Sequence, residues 1–310
     1  MNWKKAASIL IPTVSILGFS QLCTKFYRYG FARVDPPLTP ETDDPEYLAA
    51  YQEFSQWFNR QKKEQWWLYS DDPSNRIHAV YLPNPRPTKK AVVIAHGYHG
   101  NAQMMAAYAQ LFQELGYHVL MPDNRGHGES AGRWINFGWL DRLDYLDWCL
   151  DLIDHLGSDC ELLLFGVSMG GAITMMMSGE DLPPQVKAII EDCGYSSLHE
   201  QLAYRAKVEF HLPQFPTLPI ASLINRIVLG FSLNDVNSLQ ALAKNTRPIF
   251  FIHGEKDDYV PTSMCYKNFA ATSAPKEMWI VPNAKHAEAF AIDPEAYRER
   301  VSWFLSRAGL

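Results

Sequence analysis

The sequence predicts an α/β domain built on a mostly parallel, doubly wound sheet that carries a long apolar insertion. Three observations predict it. From residue 64 onward, short β-branched and apolar runs alternate with helix-length segments up to the final helix, as a parallel sheet covered on both faces requires. Gly166-Val167-Ser168-Met169-Gly170 follows the apolar run Leu162-Leu163-Leu164-Phe165 and leads into the small-residue helix start Gly171-Ala172-Ile173. A long apolar segment, about Ser196 to Asn245, interrupted by Pro213, Pro216 and Pro219, separates two of the strands.

Each element has its own signal. Lys4 and Lys5 precede a mostly apolar stretch from Ala6 to Leu22, closed by Lys25 and Arg28. That is the profile of a signal peptide or a short signal anchor. With no A-x-A-type cleavage site at its end, the reading is an uncleaved anchor over residues 1–25, with a secreted form as the alternative. Such an anchor ahead of a large C-terminal domain places the domain outside the cytosol. Residues 26–63 form a linker and a packing helix. Val34 to Pro40 is stiffened by its prolines. Asp44-Pro45 then opens a helix with Leu48, Tyr51, Phe54 and Phe58 on one face. The catalytic-size domain covers 64–310. Trp66 to Tyr69 and Ile77 to Leu82 read as strands joined by the turn Asp71 to Asn75, and Ala91 to Ala95 is the next strand. Val186 to Glu191, Pro248 to His253 and Glu277 to Val281 continue the series, and Pro294 to Ser306 is the closing helix.

The motif around Ser168 implies chemistry. A strand that breaks into Gly-x-Ser-x-Gly and then a helix holds a serine on a tight, strained turn at the sheet edge. A serine hydroxyl is a weak nucleophile until a base removes its proton, and the base needs a carboxylate to fix its tautomer. Candidates follow in order: Asp257 in the turn after the strand ending at His253, then His286 in the loop after Val281. Asp258 and Asp192 are alternative acids, because both lie near carboxyl ends of strands. His96, His99 and His127 read as loop-shaping residues rather than bases.

The chain resembles the α/β-hydrolase-fold serine hydrolases from about Glu64 to the C-terminus. Besides the Ser168 turn, the resemblance rests on Asp123-Asn124-Arg125-Gly126-His127-Gly128-Glu129-Ser130, similar to the family's D-x-R-G-x-G-x-S loop. Phe137-Gly138-Trp139 through Asp147-Trp148, and Asp235-Val236-Asn237-Ser238 followed by Arg247-Pro248, resemble the prolyl-oligopeptidase-like and bile-acid-acyltransferase-like branch. The resemblance implies a triad of Ser168, Asp257 and His286, in that family's chain order. It also implies an oxyanion hole made by the backbone amides of Tyr98, after the strand Ala91–Ala95, and of Met169. Each such donor contributes about 3–4 kcal/mol in the transition state. The expected activity is a serine hydrolase working through an acyl-enzyme, a carboxylesterase or lipase-like enzyme acting on a small-molecule ester. The insertion is expected to form a cap whose apolar residues (Phe210, Leu212, Phe215, Leu218, Leu223, Ile227, Leu229, Phe231) make an acyl or aryl pocket. A serine peptidase of the same fold, or a non-catalytic membrane-tethered binding domain, are the alternatives.

Composition narrows the partners. With 310 residues and a net charge of −6, the chain has no basic stripe for nucleic acid. The cysteines Cys23, Cys149, Cys160, Cys193 and Cys265 are dispersed, without metal spacing, and read as buried free thiols. No phosphate loop or zinc signature is present, so no cofactor and no metal are expected. The membrane, through the N-terminal segment, is the expected macromolecular partner.

Overall fold

A computed structural model describes residues 21, 24–35, 45–69 and 71–310. The apolar run read as an anchor lies almost wholly outside the described residues. Among those described, no helix is long and apolar enough to cross a membrane.

The core is an eight-stranded sheet in the order β1-β2-β4-β3-β5-β6-β7-β8. Its strands are β1 (Glu64–Leu68), β2 (Ile77–Leu82), β3 (Lys90–Ala95), β4 (His118–Pro122), β5 (Glu161–Val167), β6 (Val186–Asp192), β7 (Ile249–Gly254) and β8 (Lys276–Val281). β2 runs antiparallel to both of its neighbours, and every other pairing is parallel. β3 pairs with β5 so that Ala95 faces Gly166, which brings the loop after β3 to the turn that holds Ser168.

Because both faces are covered, the central strands carry near-continuous apolar runs rather than alternating ones. Ala91, Val93, Leu162 and Leu164 belong to one core layer, while Val92, Ile94, Leu163 and Phe165 belong to the other. The second layer is closed by α3 (Ala106–Glu114) and α11 (Pro294–Arg307), whose Phe112, Tyr297 and Phe304 are buried in it. α2 (Pro45–Arg60) lies on the same side, with Phe58 buried and Phe54 edge-on to Phe290 at 5.9 Å. The first layer is closed by α4 (Asp141–Leu156) and α5 (Met169–Met177), with Trp148, Ile173 and Met176 inside it. Between β6 and β7 lie α6 (Leu198–Val208), α7 (Gln214–Leu229) and α8 (Ser238–Leu242). α9 (Ser263–Ala271) packs beside β7, and α10 (Ala289–Ile292) is a short turn before α11.

One element departs from the sequence reading. Residues 24–31, which it divides between anchor and linker, form a helix, α1, that packs into the domain. Phe26, Tyr27 and Phe31 are buried in the first core layer. The Phe31 carbonyl accepts the Ile135 amide, Ala32 bridges to Trp134, and Arg33 donates to the carbonyls of Gly128 and Ser130. A segment that follows directly on a longer apolar run shows too little periodicity of its own to stand out, and its partners are remote in sequence. Cys149, Cys160, Cys193 and Cys265 are all buried, unbridged thiols.

Candidate active site

Ser168 sits between β5 and α5 with φ +58° and ψ −117°, a backbone conformation that L residues rarely adopt. The flanking glycines make the turn possible. A Cβ on Gly166 would lie 2.1 Å from the Gly170 carbonyl oxygen, and one on Gly170 would lie 2.0 Å from that of Ala95. Neither backbone atom can retreat, because each belongs to a packed element. Strain of this kind persists where the surroundings over-determine it, and it is found at functional sites.

The structure brings Ser168, His286 and Asp257 together although they are distant in sequence. His286 Nε2 is 2.8 Å from Ser168 Oγ, and His286 Nδ1 is 2.7 Å from Asp257 Oδ2. The other carboxylate oxygen, Oδ1, accepts the backbone amides of Tyr259 at 2.9 Å and Val260 at 2.8 Å. Burial pushes the Asp257 carboxyl up, but hydrogen bonds from His253 and His286 outweigh it and hold the group well below the ordinary carboxylate range. The alternative acids are placed elsewhere. Asp258 is exposed, and its backbone carbonyl accepts the Tyr204 hydroxyl. Asp192 is buried behind the site, takes a hydrogen bond from the Tyr297 hydroxyl at 2.9 Å, and is pushed up to about 6 by burial.

His253 is a partner that sequence reasoning missed. Its Nε2 lies 2.9 Å from the Val260 carbonyl and 3.2 Å from Asp257 Oδ2. Both are acceptors, so Nε2 carries the proton and donates to both. Burial draws His253 down while Asp257 raises it, and the net direction is upward. The signal was in the sequence, four residues before Asp257 at the end of a buried strand. Its meaning required the turn that folds Asp257 back over it.

The side of Ser168 that faces the loop after β3 is equally compact. Met169 opens α5, so its amide has no intrahelical acceptor and sits at the positive end of the helix dipole. The loop after β3 abuts Ser168: a Cβ on Gly97 would be 3.4 Å from Ser168 Cβ. The Tyr98 hydroxyl donates to the Gly30 carbonyl of α1 at 2.8 Å. His96 Nε2 accepts the Asn124 amide at 3.0 Å and its Nδ1 meets the Gly97 carbonyl at 2.7 Å, so this buried ring braces the loop. His127 Nε2 accepts the His99 amide, and burial holds His99 down at about 4 and His127 well below its usual value.

Above Ser168 lies a partly open, strongly apolar cavity. Its walls are Phe26, Tyr29 and Phe31 of α1, with Tyr98, Phe137, Tyr195 and Tyr259. Of the cap residues expected to line it, only Phe210 does so. Leu212, Leu218 and Phe231 are buried in the core, whereas Phe215, Leu223 and Ile227 are exposed on the outer side. Helical periodicity turns alternate cap residues away from the cavity, and α1 fills the place they leave. The acidic residue at the cavity, Glu209, is engaged by Arg205 at 2.7 Å and by the Tyr29 hydroxyl at 3.1 Å.

Among the described residues, one group has its potential metal-ligand atoms close together: Cys193, Asp257 and His286. The carboxylate and imidazole of this group already bond each other.

Comparison with known proteins agrees with this architecture. Residues 86–227 match the family described as serine aminopeptidase, S33. The uncharacterized protein YqkD of Bacillus subtilis is 32% identical over 226 residues, spanning 73% of this chain and 74% of that protein. A monoacylglycerol lipase of Mycolicibacterium smegmatis is 25% identical over 225 residues, covering 60% of this chain and 76% of its own length. An esterase structure from Pyrococcus furiosus superposes with a TM-score of 0.64 at 22% identity, covering 90% of this chain and 99% of that one. With the sheet order, the serine turn and this relatedness together, the chain belongs to the α/β-hydrolase family that includes YqkD of Bacillus subtilis.

Proposed function

We propose that the protein is a serine esterase that works through an acyl-enzyme. One observation carries the reading: the hydrogen-bonded line Ser168 Oγ–His286 Nε2, His286 Nδ1–Asp257 Oδ2, at 2.8 and 2.7 Å. In this reading Ser168 attacks the ester carbonyl while His286 Nε2 takes the hydroxyl proton. The oxyanion is held by the amides of Met169 and Tyr98. His286 then protonates the departing alcohol, and in the second half it activates the water that releases the acid. Asp257 keeps the His286 Nδ1 protonated and balances the imidazolium charge.

The aromatic cavity supports an ester with an apolar acyl or aryl group. The family description favours a second reading, an aminopeptidase. A peptide amine would need a free carboxylate, and the acid at the cavity, Glu209, is already held by Arg205 and Tyr29. The apolar run after Lys4 and Lys5 supports a membrane-tethered enzyme whose domain lies outside the cytosol.

A fluorophosphonate probe tests the nucleophile. It should label the wild type and fail to label Ser168→Ala, and labelling that persists in the variant would remove the assignment. A p-nitrophenyl ester series run beside aminoacyl nitroanilides tests the substrate class. Faster turnover of the anilides would replace esterase by peptidase.

A further inference from the structure

The outer face of α7 is apolar where a solvated cap helix would be polar. Phe215 precedes the point where helical backbone resumes, and Pro219, Leu223 and Ile227 then recur every four residues along one side. Phe215, Leu223 and Ile227 are 79, 61 and 76% exposed. The opposite side, with Leu218, Ala221 and Asn225, is buried. Single exposed apolar residues are ordinary, but a contiguous row marks an interaction surface.

α1 leads to the same place. Its first turn lies against the cap, with Phe26 edge-on to Phe210 at 5.3 Å and the Tyr27 hydroxyl donating to Asn225 of α7 at 3.1 Å. Its last turn lies on the core, with Phe31 against Phe137 at 4.7 Å. The described part of α1 therefore approaches the cap at its Phe26–Tyr27 end, the end nearer in sequence to the apolar run Ala6 to Leu22.

Charge agrees. In a chain of net −6, the segments 24–31 and 196–230 hold Lys25, Arg28, Arg205, Lys207 and Arg226 against Glu200 and Glu209. Lys25, Arg28, Lys207 and Arg226 are exposed. A two-fold dimer through this face would set the same basic patch against itself, whereas an anionic lipid surface complements it.

We propose that the cap face formed by α7 and the adjoining part of α1 docks on an anionic bilayer, with Phe215, Leu223 and Ile227 entering the interface and the exposed lysines and arginines of α1, α6 and α7 meeting the headgroups. The docking does not depend on the hydrolase reading. It would set the aromatic cavity, which shares Phe26 and Phe210 with this side, next to the lipid.

The test is an environment-sensitive NBD label on Ile227→Cys, in the full chain carrying Cys23→Ser, since the other cysteines are buried. Leu150→Cys on α4, where Leu150 is 54% exposed, is the comparison. With phosphatidylglycerol-containing vesicles, the label at 227 should shift to the blue and be quenched by spin-labelled acyl chains, while the label at 150 should do neither. Lys207→Gln with Arg226→Gln should weaken the docking equilibrium by roughly fivefold per charge removed. No difference between the two labels, or no change on adding vesicles, overturns the proposal. A blue shift that grows with protein concentration in the absence of lipid also overturns it, because a second copy would then be the occupant.

Discussion

Replacing Asp257 by Asn isolates what the carboxylate does. Its Oδ1 accepts two backbone amides, from Tyr259 and Val260. In the Asn variant the amide oxygen must stay there, since an NH2 group facing two N–H donors would leave three donors without an acceptor. The NH2 is then aimed at His286 Nδ1, which becomes the acceptor. The remaining proton moves to Nε2, which points at Ser168 Oγ and can no longer take its proton. His253 loses one acceptor but keeps the Val260 carbonyl, so the fold should survive. In a protease where this tautomer switch is established the cost is about 10⁴ in kcat, or about 5 kcal/mol. The same loss is expected here in p-nitrophenyl ester hydrolysis, with fluorophosphonate labelling slowed in parallel. Acidification does not mimic the variant. The folded carboxyl titrates below its unfolded value, so its ionic contribution is present at neutral pH and disappears only as the pH falls through that depressed value. If Asp257→Asn keeps more than a tenth of wild-type activity with unchanged melting, or if Asp192→Asn causes the loss instead, the assignment of the acid is refuted.

Further outcomes follow from the same geometry. His253→Leu removes one donor from the Asp257 carboxylate and should lower kcat about 10- to 100-fold, as expected for a charge-assisted hydrogen bond of roughly 1.5–3 kcal/mol. His253→Gln, which can keep an N–H near the Nε2 position, should recover most of the rate, and equal losses in the two variants would show that His253 only packs. Glu191 is fully buried and pushed up to about 8 by burial, so the folded state retains a proton that the unfolded state has released. Its favourable contribution is present below the ordinary glutamate range and is lost as pH rises toward 8, by up to about 1.4 kcal/mol per pH unit. Urea midpoints of Glu191→Gln should therefore decline less between pH 5 and 8 than those of the wild type; parallel profiles would contradict the raised value. Tyr27→Phe strands the buried Asn225 carbonyl across the α1–α7 contact and should cost about 1–3 kcal/mol. Unchanged melting temperature would mean that α1 is not fastened there.

Much of the site was legible because local chemistry demands particular residues at particular places. Gly166 and Gly170 are required by atoms two ångströms from where a Cβ would sit, so the serine turn announces itself. The central strands read as unbroken apolar runs because both faces are covered. The order of Ser168, Asp257 and His286 followed from the strands that precede them. Other decisions belonged to the tertiary structure. Asp257 and Asp258 are neighbours with the same chemistry, and only the fold of their turn points one at His286 and leaves the other in solvent. His253 gained its role when that turn brought Asp257 back over it. The cavity wall came from α1, whose Tyr27 meets a partner 198 residues away. Sequence patterns report the periodicity and backbone needs of a segment. Which side chains meet across the molecule is set by packing between segments, and that information is not local.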